Sequence, residues 1–298
     1  MIHKDIADDF EKGFLSETLL KQIEDCDSYE LAHLFLELFR EHQPVLEAGC
    51  GSGRWNAWFR NHGIRSDGID WSEALCSRAR KEVPECRFFA CDMRSIPLES
   101  KTYGGVIALG SIEHALEGPI QALREFNRVL RDDGVAVITV PYGGVLRRTM
   151  RFLQRSRYNN VIRRLFGKPY AGISVRDARK SAVKKWHPRL VYGPKGWFFY
   201  EYELTKVQMR VFLNDSGFEV QKEFIAFLDE GILGSFGRIA GTWDAKRGNM
   251  SLTFLGRLLT RLIPVSVTGH MLCYVVKKKG SMPLLGPRPC LQTRPLGA

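Results

Sequence analysis

The chain of 298 residues lacks any run of about 18 uncharged apolar residues, the length that a membrane-spanning helix requires. Its N-terminal residues, MIHKDIADDFEKGF, lack the apolar core of a secretory signal. Its seven cysteines are odd in number and lack a C-x-x-C pair, which argues against a disulfide framework or a zinc site. We therefore expect a cytoplasmic protein with reduced thiols and no bound metal.

One segment also has very little acidic charge. The net charge of the chain is +11 at pH 7. Residues 146–195 contain 15 lysine or arginine residues and a single acidic residue, Asp177. A solvated surface is the ordinary interpretation of such a run. Because positive charge this concentrated raises the local concentration of anionic molecules, we also expect an anionic partner.

The rest of the chain alternates strand-like and helix-like segments. Short apolar runs end in glycine or aspartate, as in PVLEAGCGSG, RSDGID and CRFFACD, and helical spacing follows each run. This alternation predicts an α/β, Rossmann-like fold with a seven-stranded, mostly parallel sheet and helices on both faces.

The same alternation suggests boundaries within the chain. Its successive parts are a helical lid, a cofactor-binding core, a basic and largely helical insert after the fifth strand, the C-terminal part of the core, and a tail rich in Pro and Gly that we expect to be disordered. They correspond to residues 1–40, 41–142, 143–200, 201–279 and 280–298.

A glycine-rich turn after the first strand of the core is the strongest motif. Glu47 precedes Gly49, Gly51 and Gly53, which allow a tight turn and let backbone N–H groups approach a ligand closely. The G-x-G-x-G spacing differs from the dinucleotide motif G-x-G-x-x-G, and no G-K-[ST] of a P-loop follows. A leading carboxylate would repel a pyrophosphate, so this turn suits a cationic or zwitterionic ligand.

Aspartates end the next two predicted strands. Asp70 ends the second strand, where a carboxylate can accept hydrogen bonds from both hydroxyls of a ribose. Asp92 ends the third strand, where it can accept a hydrogen bond from an exocyclic amine. Each also fits an alternative role as a helix cap or turn residue.

The motifs LEAGCGSG, GID, ACDM and ALGSIEH, in this order, resemble those of class I S-adenosylmethionine (SAM)-dependent methyltransferases. The nearest subset is methyltransferase type 11, which includes ubiquinone and menaquinone biosynthesis enzymes. The resemblance is good over residues 40–142 and loose over 200–278. One departure is Tyr103-Gly104, where the family usually has an aromatic residue followed by aspartate. The resemblance implies an enzyme that uses SAM and releases S-adenosylhomocysteine.

The resemblance also implies a cofactor site at the ends of the first four strands. Glu47 and the three glycines of the turn would surround the methionine and ribose portion, and Asp70 would bind the ribose hydroxyls. Arg54 can pair with the methionine carboxylate or lie in solvent. Trp71 would flank the adenine ring, and Asp92 with Met93 would contact the edge of that ring. Leu109 and Gly110 would line the sulfonium end of the cofactor.

His114 is the candidate catalytic residue. It follows the fourth strand in GSIEHALEG, at the rim where open α/β sheets bind ligands. Imidazole suits proton removal near neutral pH, so His114 is a candidate general base. A histidine that only shapes the pocket is the alternative. Glu113 beside it fits substrate orientation or helix capping.

The basic insert lies over the substrate end of this fold, so it should determine the methyl acceptor. GVLRRTMRFLQRSRYNNVIRRLFG predicts a basic amphipathic helix, suited to anionic lipid headgroups or to packing as a lid. Aromatic residues between 186 and 202 can close over the substrate, anchor at a membrane or pack the insert. We expect transfer to an O, N or C atom of a small-molecule or lipid-type, anionic acceptor.

Two other function classes stay open. An RNA methyltransferase would use the basic insert to grip phosphates. Against it, the sequence contains no recognisable RNA-binding module and no (D/N/S)-P-P-(Y/F/W) motif. A non-catalytic protein of this fold would use the insert as a binding surface, which the intact glycine turn disfavours. Nucleic acid is thus the less favoured partner, and peripheral contact with an anionic membrane is compatible with a cytoplasmic location.

Overall fold

The computed structural model describes residues 11–149, 187–193, 196–244 and 249–281. Seven strands of these residues form one sheet. The strands are β1 (Val45–Ala48), β2 (Ser66–Asp70), β3 (Arg87–Ala90), β4 (Tyr103–Leu109), β5 (Leu130–Pro141), β8 (Phe218–Ala226) and β11 (Met271–Lys278). Two hairpins pair β6 (His187–Gly193) with β7 (Gly196–Glu203), and β9 (Gly241–Asp244) with β10 (Asn249–Leu252).

The strand order of the sheet is β3-β2-β1-β4-β5-β11-β8. Strands β1 to β5 are parallel to one another, and β11 runs antiparallel to both β5 and β8. The predicted seven-stranded, mostly parallel sheet is confirmed. The order reverses between β1 and β4, and ligands of open α/β sheets bind at the carboxyl ends of the strands beside such a reversal.

Helices cover both faces of the sheet. They are α1 (Leu19–Asp27), α2 (Ala32–Phe39), α3 (Arg54–Asn61), α4 (Glu73–Glu82), α5 (Ile120–Val129), α6 (Lys206–Asp215), α7 (Leu228–Phe236), α8 (Phe254–Leu262) and α9 (Val265–Thr268). Ser72 caps α4, since its hydroxyl accepts a hydrogen bond from the N–H of Leu75 at 3.2 Å.

The two faces of the sheet have different cores. On one face, aromatic rings from α2 and α3 pack edge to face, with Phe35 and Trp55 5.1 Å apart and Phe39 and Phe59 5.8 Å apart. On the other face, Phe126 of α5 joins a core in which aliphatic side chains outnumber aromatic ones. Strand β1 is buried along its whole length, as expected for a parallel strand covered on both sides.

The end of the predicted basic insert is a β-hairpin. A helical segment occupies 145–149, and β6 pairs with β7 from residue 187. The run Phe199-Tyr-Glu-Tyr202 in β7 is rich in aromatic residues, which favour strands. Residues 150–186, where we predict the basic amphipathic helix, lie outside the described residues, as does Trp186. The helical insert therefore stays a prediction.

The aromatic side chains described in β7 pack inward. The Phe199 and Tyr202 rings lie 4.6 Å apart, and the Tyr202 hydroxyl donates a hydrogen bond to the carbonyl oxygen of Leu116 at 2.7 Å. Of the three roles considered for this cluster, these contacts match packing of the insert onto the core. The predicted tail is described only as far as Ser281; residues 282–298 lie outside the described residues.

Candidate active site

The glycine turn leaves the end of β1 in a conformation that only glycine adopts easily. Gly49 and Gly51 have φ angles of +86° and +53°. The N–H groups of Gly49 and Cys50 both donate to the carbonyl oxygen of Ile69, at 2.8 and 3.0 Å. A Cβ on Gly49 would lie 2.8 Å from Cβ of Ser111. The turn therefore brings the ends of β1, β2 and β4 close together.

Asp70 lies directly against this turn. Its Oδ2 accepts the N–H of Gly51 and its Oδ1 accepts the N–H of Ser72, both at 2.9 Å. Burial raises the pKa of the Asp70 carboxyl, while these two N–H donors oppose the shift. Each carboxylate oxygen can accept a second hydrogen bond, so this arrangement can still bind two vicinal hydroxyls.

Glu47 is buried beneath the turn. Among the described residues, its Oε2 has no hydrogen-bond partner. Burial raises the pKa of Glu47 well above its usual range, and the positive charge of Arg54 works in the opposite direction. An orphaned acceptor next to three glycines fits a ligand that brings a positive charge or an N–H donor, and SAM carries both on its methionine portion.

The N-terminal helices cover the turn. The Phe14 ring lies 3.2 Å from the position that a Cβ of Gly51 would occupy. The hydroxyl of Ser52 donates to the side-chain oxygen of Gln22, and the hydroxyl of Ser72 donates to Glu11. Arg78 of α4 donates to the carbonyl oxygens of Phe14 and Glu17 at 2.8 and 2.7 Å. A lid formed by residues 1–40, as predicted from the sequence, would make contacts of this kind.

The predicted adenine side divides into two parts. The Met93 methyl lies 3.9 Å from the Cβ position of Gly49 and so borders the turn, whereas Trp71 is exposed. Asp92 instead forms a salt bridge with Arg94, whose Nη2 lies 2.6 Å from Oδ2 and whose Nε lies 3.0 Å from both oxygens. This pair lowers the pKa of Asp92. Adenine recognition by Asp92 stays a prediction that requires Arg94 to share its partner.

Leu109 and Gly110 lie where β4 ends. The N–H of Gly110 donates to the Thr139 hydroxyl at 3.1 Å, which ties β4 to β5. The next residue, Ser111, donates its hydroxyl to the carbonyl oxygen of Ala48 at 3.0 Å, which ties β4 to β1. Sequence reasoning missed Ser111, although its position after Gly110 in the motif ALGSIEH was the available signal.

His114 lies behind this rim and has a defined tautomer. Its Nδ1 is 2.8 Å from the carbonyl oxygen of Tyr200. Because a carbonyl oxygen only accepts hydrogen bonds, Nδ1 carries the proton, and the neutral ring has its lone pair on Nε2. Nε2 lies 4.0 Å from Oε1 of Glu113. An imidazole in this tautomer can accept a proton at Nε2.

Two carboxyl groups complete a buried cluster with His114. One carboxyl oxygen of Glu113, one of Glu201 and one ring nitrogen of His114 all lie within 4.8 Å of one another. Burial, and then the charge of Glu201, raise the pKa of Glu113 well above its usual range. This geometry can hold a proton between the groups or a divalent cation. Sequence reasoning missed Glu201, whose only signal was an acidic residue within an aromatic strand.

A second buried ionic group lies on the same side of the sheet. Arg147 Nη1 is 3.7 Å from Oε1 of Glu203, and its Nη2 is 2.6 Å from Nδ1 of His270. All the charges of this group come from segments after β5. With the His114 cluster, they lie at the predicted substrate end of the fold, which we call the acceptor side.

Comparison with known proteins identifies the central part of this fold. Residues 46–138 match the family model described as a methyltransferase domain. Over 108 residues the chain is 29% identical to the malonyl-[acyl-carrier protein] O-methyltransferase of Salmonella typhimurium, covering 36% of this chain and 42% of the relative. Over 99 residues it is 32% identical to a protein of Mycolicibacterium smegmatis named as a probable SAM-dependent methyltransferase, covering 33% and 38%. The matched segment spans less than half the length of either relative.

Solved structures share the fold over most of the chain. A SAM-dependent methyltransferase from Methanosarcina mazei superposes with a TM-score of 0.54 at 13% identity, covering 84% of this chain and 97% of the other. A protein from Pyrococcus horikoshii gives a TM-score of 0.52 at 16% identity, covering 84% and 88%. The predicted resemblance to class I SAM-dependent methyltransferases is confirmed.

The described part of the chain contains no helix with the length and apolar character needed to cross a bilayer.

Proposed function

We propose that this chain is a SAM-dependent methyltransferase. The observation that supports it most is the contact between the glycine turn and Asp70, where the N–H of Gly51 and the N–H of Ser72 fix both carboxylate oxygens. Such a fixed carboxylate, beside backbone that approaches closely, is suited to a ribose. The matched methyltransferase domain contains the turn, both of these contacts and His114.

Each remaining part of the site has a proposed role toward this cofactor. SAM, when bound, supplies an activated methyl group, so the protein needs mainly to position the acceptor and exclude water. Glu47, below the turn, accepts from the methionine portion, and Trp71 covers one adenine face. Met93 packs beside the turn. Leu109 and Gly110 line the place where the methyl group leaves.

His114 is proposed to take a proton from the acceptor. The Tyr200 carbonyl holds the ring through Nδ1, so Nε2 is the atom that accepts the proton. The Glu113 and Glu201 carboxyl groups lie near enough to stabilise the charged imidazolium that results. This role applies to a hydroxyl or ammonium acceptor, which must lose a proton when it is methylated.

The proposed acceptor is anionic and is either a small molecule or lipid-type. The 15 basic residues in 146–195 support this proposal. The Salmonella relative is an O-methyltransferase of malonyl-[acyl-carrier protein], and a malonyl group carries a carboxylate. Peripheral contact with an anionic membrane would bring a lipid-type acceptor within reach. A cytoplasmic location stays a prediction.

Label transfer from methyl-labelled SAM to a lysate of the source organism tests the activity and the acceptor class. We expect label in the organic phase or in small anionic metabolites. Label in RNase-sensitive material would replace this proposal with RNA methylation, in which the same basic residues contact phosphates. No transfer to any fraction, although S-adenosylhomocysteine binds, would favour a non-catalytic protein of this fold.

A further inference from the structure

Helix α8 presents its apolar residues outward. Phe254, Leu258 and Leu262 recur every four residues and therefore share one side of the helix. Their exposed fractions are 80%, 39% and 68%, and Leu255 beside them is 41% exposed. A surface helix normally turns such a side toward the core. The orientation of α8 is the reverse and needs a separate explanation.

The inward side of α8 is fixed by backbone contact. Gly256 is the buried residue of the helix, and a Cβ there would lie 1.9 Å from the carbonyl oxygen of Ala240. Thr253 caps the helix, since its hydroxyl accepts the N–H of Gly256 at 3.0 Å while its own N–H donates to Ala240 at 2.9 Å. Because Gly256 is the only glycine in α8, the helix cannot rotate and keep this contact.

The outward side continues onto the segment before α8. Ile239 is 65% exposed, and its carbonyl oxygen accepts a hydrogen bond from the Thr253 hydroxyl at 2.8 Å. Ile239 therefore lies at the start of α8. We call this surface the α8 face; it consists of Ile239, Phe254, Leu255, Leu258 and Leu262.

Three arginines lie beside the residues of the α8 face. Arg257 and Arg261 are exposed on the same helix, and Arg238 is exposed next to Ile239. Residues 245–298 contain nine lysine or arginine residues and no acidic residue. Sequence reasoning placed the basic excess in 146–195 alone and missed this second acid-free segment. The α8 face is therefore apolar and has cationic side chains beside it.

The α8 face belongs to the acceptor side of the sheet. Helix α9 follows α8 and leads through His270 to Met271, the first residue of β11. The Met271 methyl lies 3.4 Å from the position of a Cβ on Gly110. His270 in turn contacts Arg147 of the buried ionic group. A molecule held at the α8 face is thus on the side of the sheet from which an acceptor would approach.

We propose that the α8 face binds the surface of an anionic membrane. Its apolar side chains would enter the boundary between headgroups and acyl chains, and Arg257 and Arg261 would contact anionic headgroups. Four outward apolar side chains flanked by arginines, on a helix that cannot turn inward, are the features of an interfacial helix. Membrane binding by the α8 face does not depend on the proposed function. Only its biological purpose, access to a lipid-type methyl acceptor, rests on that function.

Flotation of the full chain with phosphatidylcholine vesicles, with and without phosphatidylglycerol, tests the proposal. We expect binding that requires phosphatidylglycerol. The variant Phe254→Ser/Leu258→Ser/Leu262→Ser should bind on the order of tenfold more weakly, because its apolar contact is lost. Arg257→Gln/Arg261→Gln should lose about fivefold per arginine. The control Val207→Ser/Val211→Ser, on α6 residues that are 72% and 50% exposed, should bind like the unaltered chain.

Three results would overturn the proposal. The first is that the unaltered chain binds neither vesicle, and the second is that the α6 control loses as much binding as the triple variant. The third is a dimer in solution that the triple variant converts to a monomer, because a second copy of the chain would then cover the α8 face. The melting temperature shows whether each variant folds. S-adenosylhomocysteine binding is measured separately, so failure on vesicles with that binding intact overturns this inference and leaves the proposed function standing.

Discussion

The cofactor side and the acceptor side of the sheet are built in different ways. The proposed cofactor side uses backbone N–H groups at a glycine turn and two buried carboxylates, Glu47 and Asp70, all between residues 47 and 72. The acceptor side uses charged side chains from distant segments, such as Glu113 with Glu201 and Arg147 with Glu203. A cofactor common to many enzymes can be bound by backbone, whereas a particular acceptor needs particular side chains.

Replacing His114 should give the largest difference between the effect on methyl transfer and the effect on cofactor binding. If Nε2 takes the proton from the acceptor, His114→Ala should lower kcat by about 10² to 10⁴-fold while S-adenosylhomocysteine affinity changes little. Steady-state methyl transfer to the labelled acceptor fraction at saturating SAM measures the first quantity, and calorimetry measures the second. Unchanged turnover would mean that His114 only shapes the pocket.

Glu203→Gln should destabilise the fold while sparing the cofactor side. The substitution leaves Arg147 buried without its carboxylate, which typically costs about 3–5 kcal/mol of unfolding free energy. Denaturant unfolding checks the loss. The matched control is Glu117→Gln, an exposed partner of Arg94, which should change stability by less than about 1 kcal/mol. A similar small change in both variants would contradict the buried ion pair.

Gly49→Ala should affect the cofactor side alone. The alanine must adopt a positive φ, and its Cβ would lie 2.8 Å from Cβ of Ser111. Such backbone strain costs about 1–3 kcal/mol of unfolding free energy. We expect weaker S-adenosylhomocysteine binding by calorimetry and normal vesicle binding. Gly63→Ala is the control, since Gly63 also has a positive φ, +72°, but nothing lies near its Cβ position. Equal cofactor affinity in both variants would contradict the close approach of the turn to β4.

Glu113→Gln should have a small effect on stability that depends on pH. The folded protein holds the Glu113 proton to a higher pH than the unfolded chain, because burial and Glu201 raise its pKa. The folded state then binds more protons above the usual glutamate range, so this group makes the fold less stable as pH rises. Relative to the unaltered chain, the glutamine variant should therefore gain stability as the pH rises from 5 to 8. If Glu113 ionises normally, the difference in melting temperature between the two proteins would not change with pH across that range.

The difference between the two sides also explains how far the sequence could predict them. The strands of the cofactor side follow from apolar runs that end in glycine or aspartate, and Asp70 could be singled out because it ends such a run. Glu201 could not be joined to His114, because 86 residues separate them and only the β7 hairpin brings them together. The outward orientation of α8 could not be predicted either, since helical spacing shows that one side is apolar without showing which way it faces.

Calorimetric titration with S-adenosylhomocysteine tests the central claim most directly. The unaltered chain and the control Asp132→Ala, at an exposed residue paired with Lys101, should bind it equally. Asp70→Ala should bind about 100-fold more weakly or not measurably, because two hydrogen bonds to a charged group are lost. Binding by Asp70→Ala at the affinity of the unaltered chain would contradict the assignment of this site.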